Sequence, residues 1–359
     1  MKVKLKELLI PQPKSKVKAG EGLIDGKYKF YTSSPIQSKY LDDAQYRGPA
    51  LIFGTGGNAS VHYCSDMFST STDCLVMYGS EELELIYYYL SGNMQILQDG
   101  FKGAGLKHIS KNYILNIEID LPCKETQREI VNIMKKIDVL ISERKQQKDQ
   151  MEKLVMSRFV EMFGQGGYPR HALIELIIEG AGLSYGIVQP GDNGTGDMGV
   201  LRPVDLVDGR ISTAAIKYVD RSIGDGFKKT ELTGDELLIT VRGTTGITAL
   251  TDVRFKNMNV TRGIAVIRYD RSKINPEYLN AYINTNESQC YIQEHTRGAT
   301  LQQINLADLR TLEILVPPRI LQEKFAAFVE QTDKSKLAVQ KSLDKLELLK
   351  KALMQKYFG

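Results

Sequence analysis

The stretch GAGLKHIS, residues 103–110, occurs a second time in this chain as GATLQQIN, residues 298–305. The two versions begin 195 positions apart, and this offset continues without a gap to the last residue. Such a spacing is far too long for a solenoid repeat. We therefore predict that the chain is two copies of one large unit in tandem. The matching pairs are Leu106 and Leu301, Ile109 and Ile304, Ile119 and Ile314, Pro122 and Pro317, Gln127 and Gln322, Asp138 and Asp333, Leu154 and Leu349, Phe163 and Phe358, and Gly164 and Gly359.

Each copy has the same internal plan on either side of its proline, Pro122 or Pro317. Before the proline, β-rich runs such as ALIFG, CLVMY, ELLITV and IAVIRY alternate with clusters of Gly, Asn, Asp and Ser. This pattern predicts an irregular sheet domain with a few short helices. After the proline, the sequence predicts one helix of about 40 residues, roughly 60 Å long.

Both predicted helices carry an apolar stripe with a spacing of three or four residues. A near-heptad stripe needs a partner helix, and the natural partner is the helix of the other copy. The first stripe is interrupted by Arg144, Gln147 and Lys148. The residues predicted to pack are Ile130, Ile133, Ile137, Leu140, Met151 and Leu154 in the first copy, and Phe325, Phe328, Val339, Leu346, Leu349 and Leu353 in the second.

Composition predicts an ordinary globular protein of the cytoplasm. Hydrophobic residues make up 42% of the chain and charged residues 25%. No run of about 18 apolar residues is present, so no membrane span is expected. The four cysteines form no C-x-x-C pair, which favours a reducing compartment and no zinc site. The net charge is only +4, but lysines crowd the start of the chain and predict a local basic surface.

Familiar catalytic patterns are missing from the sequence. The four histidines, His62, His108, His171 and His295, show no H-E-x-x-H spacing, and no G-x-S-x-G elbow occurs. The turn [D/N/S]-P-P-[F/Y/W] of adenine methyltransferases is also absent. We therefore expect no catalysis by this chain, no bound metal and no bound cofactor.

The duplicated layout carries a family resemblance. In each copy a globular domain closes with G-x-x-x-x-x-I, followed by a hydrophobic strand, a proline, a glutamine and a long helix ending near a phenylalanine. This layout resembles the specificity subunit of Type I restriction-modification enzymes over essentially the whole chain. The signatures LPCKETQ and VPPRILQ differ from the usual Pro-Pro-x-x-Glu-Gln because Thr126 and Leu321 replace the glutamate.

The resemblance implies an α+β fold and a role in DNA recognition. Two target recognition domains, residues 1–121 and 165–316, would be joined by two conserved spacer helices, residues 122–164 and 317–359. The helices would pack as an antiparallel coiled coil with a pseudo-twofold internal repeat. The chain would read a bipartite target in double-stranded DNA and direct two methylation and two restriction subunits. S-adenosylmethionine, ATP and Mg²⁺ would bind to those partners.

The glycine-rich stretch LIFGTGGN, residues 51–58, admits two functional interpretations. It looks like a cofactor turn of S-adenosylmethionine-dependent methyltransferases and, more loosely, like a glycine loop that binds phosphate. It lacks the P-loop pattern that would indicate nucleotide binding. A shift of 189 places Gly54, Thr55 and Gly57 on Gly243, Thr244 and Gly246. A cofactor turn would not need this second, altered copy. We therefore predict a tight loop that approaches a DNA phosphate or base edge, with a plain β-turn as the alternative.

Polar residues in the glycine-rich and strand-end segments are the predicted DNA contacts, because Arg, Lys, Asn and Gln can bond base edges and phosphates. Two other classes stay open: a methyltransferase or nuclease with a disguised site, and a scaffold that binds only proteins. The predicted contacts are Ser33, Ser34, Lys39, Thr55, Asn58, Lys102, Lys107 and His108 in the first copy, and Tyr185, Gln189, Arg202, Arg242, Thr244, Arg262, Arg297, Gln302 and Gln303 in the second.

Overall fold

A computed structural model describes residues 2–79, 83–103, 105–189, 191, 196–207, 209–299 and 301–358. Met1 and Gly359, the outer limits of the predicted domains, lie outside the described residues, as does the match of Gly359 with Gly164. The chain divides into two compact units. The first unit comprises residues 1–147 and 339–359, and the second comprises residues 148–338. Each unit therefore contains a globular domain together with part of both long helices, so its limits differ from the predicted domain limits.

The globular part of the first unit is a set of short strands with three short helices. Its strands are β1 (Lys2–Lys4), β2 (Leu9–Pro11), β3 (Tyr28–Tyr31), β4 (Lys39–Leu41), β5 (Tyr46–Arg47), β6 (Ala50–Gly54), β7 (Ser60–Cys64), β8 (Met67–Thr70), β9 (Cys74–Gly79), β10 (Phe101–Lys102), β11 (His108–Ile109) and β12 (Glu118–Asp120). Its helices are α1 (Leu83–Gly92), α2 (Met94–Gln98), α3 (Lys111–Leu115) and the first part of α4 (Lys124–Phe163).

Two four-stranded sheets form the centre of this unit, with the orders β2-β9-β6-β7 and β4-β3-β8-β5. Two further pairs, β1–β12 and β10–β11, complete it. The run ALIFG is the buried strand β6, which explains its continuous hydrophobicity. Strand β3 pairs with β8 in parallel, and the other pairs among the described strands of this unit are antiparallel.

The second unit contains the remaining strands and helices. Its strands are β13 (Arg170–Ala172), β14 (Ser184–Tyr185), β15 (Met198–Leu201), β16 (Leu206–Val207), β17 (Arg210–Ile211), β18 (Lys217–Val219), β19 (Leu237–Leu250), β20 (Asn259–Val260), β21 (Ile264–Ile267), β22 (Gln302–Gln303) and β23 (Glu313–Leu315). Its helices are α5 (Pro276–Ile283), α6 (Asn286–Glu294), α7 (Leu306–Arg310), the end of α4 and the start of α8 (Arg319–Phe358).

The two units share the order of their main strand pairs. The first strand pairs with the last in both, as β1–β12 and β13–β23. The orders β2-β9-β6 and β14-β21-β19 correspond, and a parallel strand pair recurs among the described strands of both units, as β3–β8 and β15–β20. The pairs Val3–Ile119 and His171–Ile314 show that the offset grows from 168 residues to 195. The extra residues of the second unit therefore lie in its connections, where insertions are tolerated.

Strand β19 folds back on itself as a hairpin. The amide of Thr251 donates to the Glu236 carbonyl at 2.8 Å. Closer to the turn, the amide of Ile247 donates to the Thr240 hydroxyl at 2.9 Å. Gly243 and Gly246 have φ angles of +89° and +88°, which residues with a side chain rarely adopt. The glycines therefore place a tight turn at one end of the central sheet.

The predicted length of the two long helices is confirmed, because α4 and α8 have 40 residues each. The signature glutamines hold both helices to the preceding proline. The side-chain amide of Gln127 donates to the Pro122 carbonyl at 2.9 Å, and Gln322 donates to the Pro317 carbonyl at 2.8 Å. Both glutamines are buried. Their place in the signature thus has a structural cause.

Within each unit the two long helices run antiparallel. In the first unit, Asp138 pairs with Lys350 at 2.5 Å and Lys145 with Glu347 at 3.7 Å. In the second unit, Glu152 pairs with Lys336 at 3.1 Å, and Phe159 and Phe325 have ring centroids 5.5 Å apart. Partner numbers on α8 fall as those on α4 rise. The antiparallel pairing implied by the resemblance is therefore present in each unit.

The predicted apolar stripe is only partly correct. Ile130, Ile137, Phe325 and Val339 are buried, and Met151, Phe328, Leu346 and Leu353 are partly buried. The prediction is wrong for four residues that are exposed: Ile133, Leu140, Leu154 and Leu349.

The buried stripe alternates steps of three and four residues, as in Ile130, Met134 and Ile137. The same steps recur 195 positions later in Phe325, Val329 and Thr332. The sequence prediction accepted any apolar residue at a step of three or four and therefore included residues on the outer face of the helix.

No helix in the described part of the chain combines the length and the apolar character that a membrane span requires.

Candidate nucleic-acid interface

Three strand segments of the second unit place polar side chains on one outward face. Arg242 of β19 lies opposite Gln303 of β22, and Gly243 lies opposite Gln302. Arg297 forms a bridge on the other side of Gln303, with reciprocal backbone bonds of 2.8 Å. The next residue, Ile304, is fully buried. Because successive side chains of a strand point to opposite faces, Gln303 points away from the core.

Further predicted residues lie at the same place, which we call the arginine face and define as Arg242, Thr244, Arg262, Arg297 and Gln303. Gln302 is exposed beside it but points to the opposite side of β22. Arg262 is exposed and is positioned by its amide, which donates to the Ile187 carbonyl at 2.9 Å. The neighbouring Gly263 carbonyl accepts from the amide of Val241 at 2.8 Å, which places Arg262 beside β19. Thr244 is exposed in the turn. The structure therefore brings these five predicted residues together.

The arginines of this face differ from the others of the unit. Residues 148–338 contain thirteen arginines. Ten of them have a hydrogen-bond or ion-pair partner: Arg158, Arg170, Arg202, Arg210, Arg221, Arg254, Arg268, Arg271, Arg310 and Arg319. Within the described part of the chain, the side chains of the other three, Arg242, Arg262 and Arg297, have none. The unpaired guanidinium groups of this unit are thus concentrated on one face.

The other predicted residues of the second unit are placed differently. The Arg202 guanidinium bonds both carboxylate oxygens of Asp205, at 3.0 and 3.1 Å, and the Ala215 carbonyl at 2.6 Å. The hydrogen bonds that Arg202 donates to Asp205 raise the pKa of the guanidinium. The Tyr185 hydroxyl accepts from the Leu306 amide at 3.3 Å. The Arg202 side chain therefore stabilises the fold, and the Tyr185 hydroxyl has one bond within it. Gln189 is exposed.

The glycine loop of the first unit packs against the hairpin of β10 and β11. Gly56 lies opposite His108, and the Gly57 amide donates to the Lys107 carbonyl at 3.3 Å. His108 also lies opposite Lys102 within the hairpin. Asn58, Lys102, Lys107 and His108 are all exposed. We call this group, together with Gly56, the lysine face.

Ser33 and Thr55 shape this loop from the inside. The Ser33 hydroxyl donates to the Asp73 carbonyl at 2.7 Å and accepts from the amides of Thr55 and Gly56, at 3.2 and 3.3 Å. Thr55 is only 7% exposed, and its hydroxyl donates to the same Asp73 carbonyl at 2.9 Å. These hydroxyls are committed to the fold, which corrects their expected outward position.

Two other predicted contacts of the first unit are also engaged locally. The Lys39 ammonium donates to the Ala19 carbonyl at 2.8 Å. The Ser34 hydroxyl accepts from the Ile36 amide at 3.1 Å. Ser34 is exposed and Lys39 is partly buried. Neither residue makes a described bond to the glycine loop.

The sequence prediction missed two lysines near the lysine face. A cavity of about 730 Å³ beside the loop is lined in part by Lys14, Thr55, His108 and Lys111. Lys14 belongs to the basic start of the chain, but that start alone did not indicate which lysines meet the loop. Lys111 is the first residue of α3 and carried no separate sequence signal.

The structure corrects the alignment of the two glycine loops. Gly56 and Gly57 face His108 and Lys107, whereas Arg242 and Gly243 face Gln303 and Gln302. Because the second pair of partners follows the first by 195 positions, Gly57 corresponds to Gly243, a shift of 186 rather than 189. Both glycines have positive φ angles, +81° and +89°.

Three of the four histidines are held by local bonds. No group of three or more metal-ligating side chains occurs among the described residues. His62 bonds the Ser34 carbonyl at 2.9 Å, and burial lowers its pKa. His171 bonds Glu175 at 3.0 Å, and His295 bonds the Tyr291 carbonyl at 2.8 Å. Each of these three rings has a local structural partner.

Comparison with known proteins agrees with the duplicated architecture. Residues 1–153 and 193–348 match the model of the Type I restriction modification DNA specificity domain. The chain belongs to this family. The two matched segments correspond to the two copies found from the 195-residue offset.

Individual relatives of this specificity-domain chain are distant. It is 23% identical over 180 residues to the Type I restriction enzyme EcoBI specificity subunit of Escherichia coli, an alignment that covers 49% of this chain and 38% of that protein. The match thus spans well under half of the relative's length. Its family assignment rests on the two matched domains.

Solved structures share the fold over the full length. The S subunit of a Type I restriction-modification system from M. genitalium is 14% identical, with a TM-score of 0.60, 100% of this chain and 96% of that chain covered. A chain from a study of the complex assembly and conformational transition of the type I system is 17% identical, with a TM-score of 0.50 and coverages of 100% and 97%. These similarities support the α+β fold with two long helices.

Proposed function

We propose that this chain is the DNA specificity subunit of a Type I restriction-modification enzyme. Each unit would read one half of a bipartite target in double-stranded DNA, and the place of action would be the cytoplasm. The observation that carries this proposal is the concentration of unpaired arginines on the arginine face. Arginine bonds both phosphates and guanine edges, and exposed cations release counterions from DNA on binding.

Partner subunits would supply the chemistry. S-adenosylmethionine would bind the methylation subunits, and ATP and Mg²⁺ the restriction subunits, two of each. The outer surfaces of the long helices suit protein docking, since Val139 and Leu348 in the first unit and Val160 and Ile320 in the second expose large apolar side chains. In this assembly the chain would select the DNA and carry out no reaction itself.

The enzyme alternative has little support in the structure. The backbone amides of Thr55 and Gly56 in the glycine loop bond the Ser33 hydroxyl, and the Gly57 amide bonds the β10–β11 hairpin. The second copy of the loop differs in sequence. A scaffold that binds only proteins would leave the unpaired arginines unexplained. Methylome sequencing of cells with and without the chain distinguishes the three classes, because a specificity subunit should produce a split methylated motif.

Arginine substitutions test the proposed DNA face directly. We expect Arg242→Ala, Arg262→Ala and Arg297→Ala each to weaken binding of target duplex by the complex with methylation subunits. If the arginine contacts a base, its loss should cost about 1–3 kcal/mol of binding free energy and relax the sequence specificity at one base pair. A phosphate contact should weaken binding to all sequences and lower the salt slope by about one.

Arg254→Ala is the matched control. It also removes one positive charge, but Arg254 is held by Asp252 at 2.6 Å outside the arginine face. The complex that contains this variant should bind target duplex about as tightly as the complex with the unmodified chain. Equal losses for all four variants would indicate a general charge effect and contradict a localised DNA face.

A further inference from the structure

The two units contain the same three-position ladder across neighbouring strand segments. In the second unit the order is Arg242, Gln303, Arg297. In the first unit the corresponding order is Gly56, His108, Lys102. His108 and Gln303 are related by the 195-residue offset, as are Lys102 and Arg297. The backbone scaffold is thus shared, and the side chains on it differ.

All three members of each ladder point to one face. Directly opposite residues of an antiparallel pair lie on the same side of the sheet. The residues that follow the central members, Ile109 and Ile304, are buried, so the ladders face outward. An ideal Cβ on Gly56 would lie 3.3 Å from Cε1 of His108, which shows that position 56 also faces this ring.

The central members have defined hydrogen-bonding chemistry. Nδ1 of His108 lies 3.1 Å from the Thr55 carbonyl oxygen, which can only accept. Nδ1 therefore donates to this oxygen, which leaves Nε2 as the acceptor in the form of the ring that carries one hydrogen. Gln303 has both a donor and an acceptor and can bond adenine N6 and N7. Arginine at the outer positions can bond guanine O6 and N7.

We propose that these ladders are the principal specificity determinants of the two half-sites, an inference that rests on the proposed DNA recognition. The second ladder reads guanine, adenine and guanine at successive base pairs. In the first ladder, Lys102 contacts guanine and His108 accepts from the amino group of adenine or cytosine. Gly56 leaves the third position without a side-chain contact. Strands lie about 4.8 Å apart and bases about 3.4 Å, a difference that long side chains can span.

Transplanting the ladder tests this inference. The triple variant Gly56→Arg, His108→Gln and Lys102→Arg gives the first unit the second unit's side chains. Gly56 does not have a positive φ angle, and replacing His108 removes the ring nearest its Cβ. We expect methylome sequencing of cells carrying the variant and the methylation subunits to show a changed first half-site, with guanine–adenine–guanine at the read positions. The other half should be unchanged.

A single substitution provides the second arm. Gln303→Glu replaces an adenine-reading amide by a carboxylate that accepts from cytosine N4. In the purified complex, a panel of duplexes with each base pair exchanged should show preference moving from adenine to cytosine at one position, by about 5- to 150-fold. Thr245→Ser in the same turn is the control and should keep the original preference.

The outcomes separate the ladder from the general function. An unchanged motif for the triple variant, or an unchanged base preference for Gln303→Glu, overturns the ladder while DNA recognition stands. If the triple variant does not methylate DNA, the duplex panel with Gln303→Glu decides alone. If the unmodified complex produces no split motif and no duplex preference, the proposed function itself fails.

Discussion

Ser33 shows how one hydroxyl organises a whole loop. It joins the Asp73 carbonyl to the amides of Thr55 and Gly56, and so fixes the turn that lies against His108. An alanine at this position leaves these backbone groups with fewer partners. The Ser33 hydroxyl thus fixes the geometry of the loop.

We expect Ser33→Ala to lower the free energy of unfolding by about 1–2 kcal/mol, because hydrogen-bonding groups lose their partner. Urea unfolding of the whole chain measures this change. Ser34→Ala is the control. Ser34 is exposed, and the described bond of its hydroxyl is the one from the Ile36 amide at 3.1 Å, so this variant should lose less than about 0.5 kcal/mol. Equal effects would contradict the special position of Ser33.

Glu236 is the buried carboxylate at the base of the β19 hairpin. Burial by itself raises the pKa of this carboxyl, but hydrogen bonds from Thr233, Gly234 and Thr251 outweigh burial and leave the pKa below its usual value of 4.5. Arg268 lies 3.6 Å from it. A lowered folded-state pKa means that the stabilisation is fully present above the unfolded pKa and is lost as the pH falls through the folded one.

Glu236→Gln should therefore cost about 3–5 kcal/mol near neutral pH, since Arg268 loses a buried partner. The difference from the unmodified chain should shrink as the pH is lowered below 4.5, the usual pKa of this carboxyl. Urea unfolding across this range measures it. Glu231→Gln, at a half-exposed carboxylate 3.7 Å from Arg221, should cost less than about 1 kcal/mol. A pH-independent difference for Glu236→Gln would argue against this role.

At the scale of elements, the long helices are stabilised mainly where they meet the globular parts. In the second unit Phe325 is fully buried, and its ring lies 5.5 Å from that of Phe159 and 5.6 Å from that of Phe163. Tyr278 from α5 packs on the same cluster. The helices therefore belong to the cores of the units and are not simple connectors.

Truncating this cluster should be costly. We expect Phe325→Ala to lower the free energy of unfolding by about 3–5 kcal/mol through lost burial and a cavity. Leu154→Ala on the same helix pair should cost less than about 1 kcal/mol, because Leu154 is 52% exposed. Denaturant unfolding of both variants gives the comparison. A larger loss for Leu154→Ala would restore the stripe originally predicted from the sequence.

At the scale of the whole molecule, the helices are predicted to act as a ruler for the unread bases of the target. Because the buried stripe repeats every seven residues, a seven-residue insertion preserves it better than a shorter one. Adding seven residues after Gln147 and after Ser342 lengthens each helix by about 10 Å. We expect the unread gap to grow by about three base pairs, measured as the methylated motif in cells. An unchanged gap would contradict the ruler.

The sequence by itself determined the duplication, the two 40-residue helices and the family layout. These features depend on local periodicity and on the 195-residue offset. Both can be read from the order of residue types along the chain. It also indicated the residues of the arginine face, because Arg242, Arg262 and Arg297 each stand directly before a glycine in a strand-end segment.

Only the tertiary structure decided which of the predicted contact residues face outward and which are bonded within the fold. Ser33, Thr55 and Arg202 are as polar as their neighbours, but their partners Asp73 and Asp205 are set by strand pairing and by a local turn. The ladder likewise depends on the register between Arg242 and Gln303, which are about 60 residues apart in sequence, while Arg297 joins it by a local bridge to Gln303. A polar side chain bonds to whatever the fold places near it, and that neighbour cannot be read from spacing along the chain.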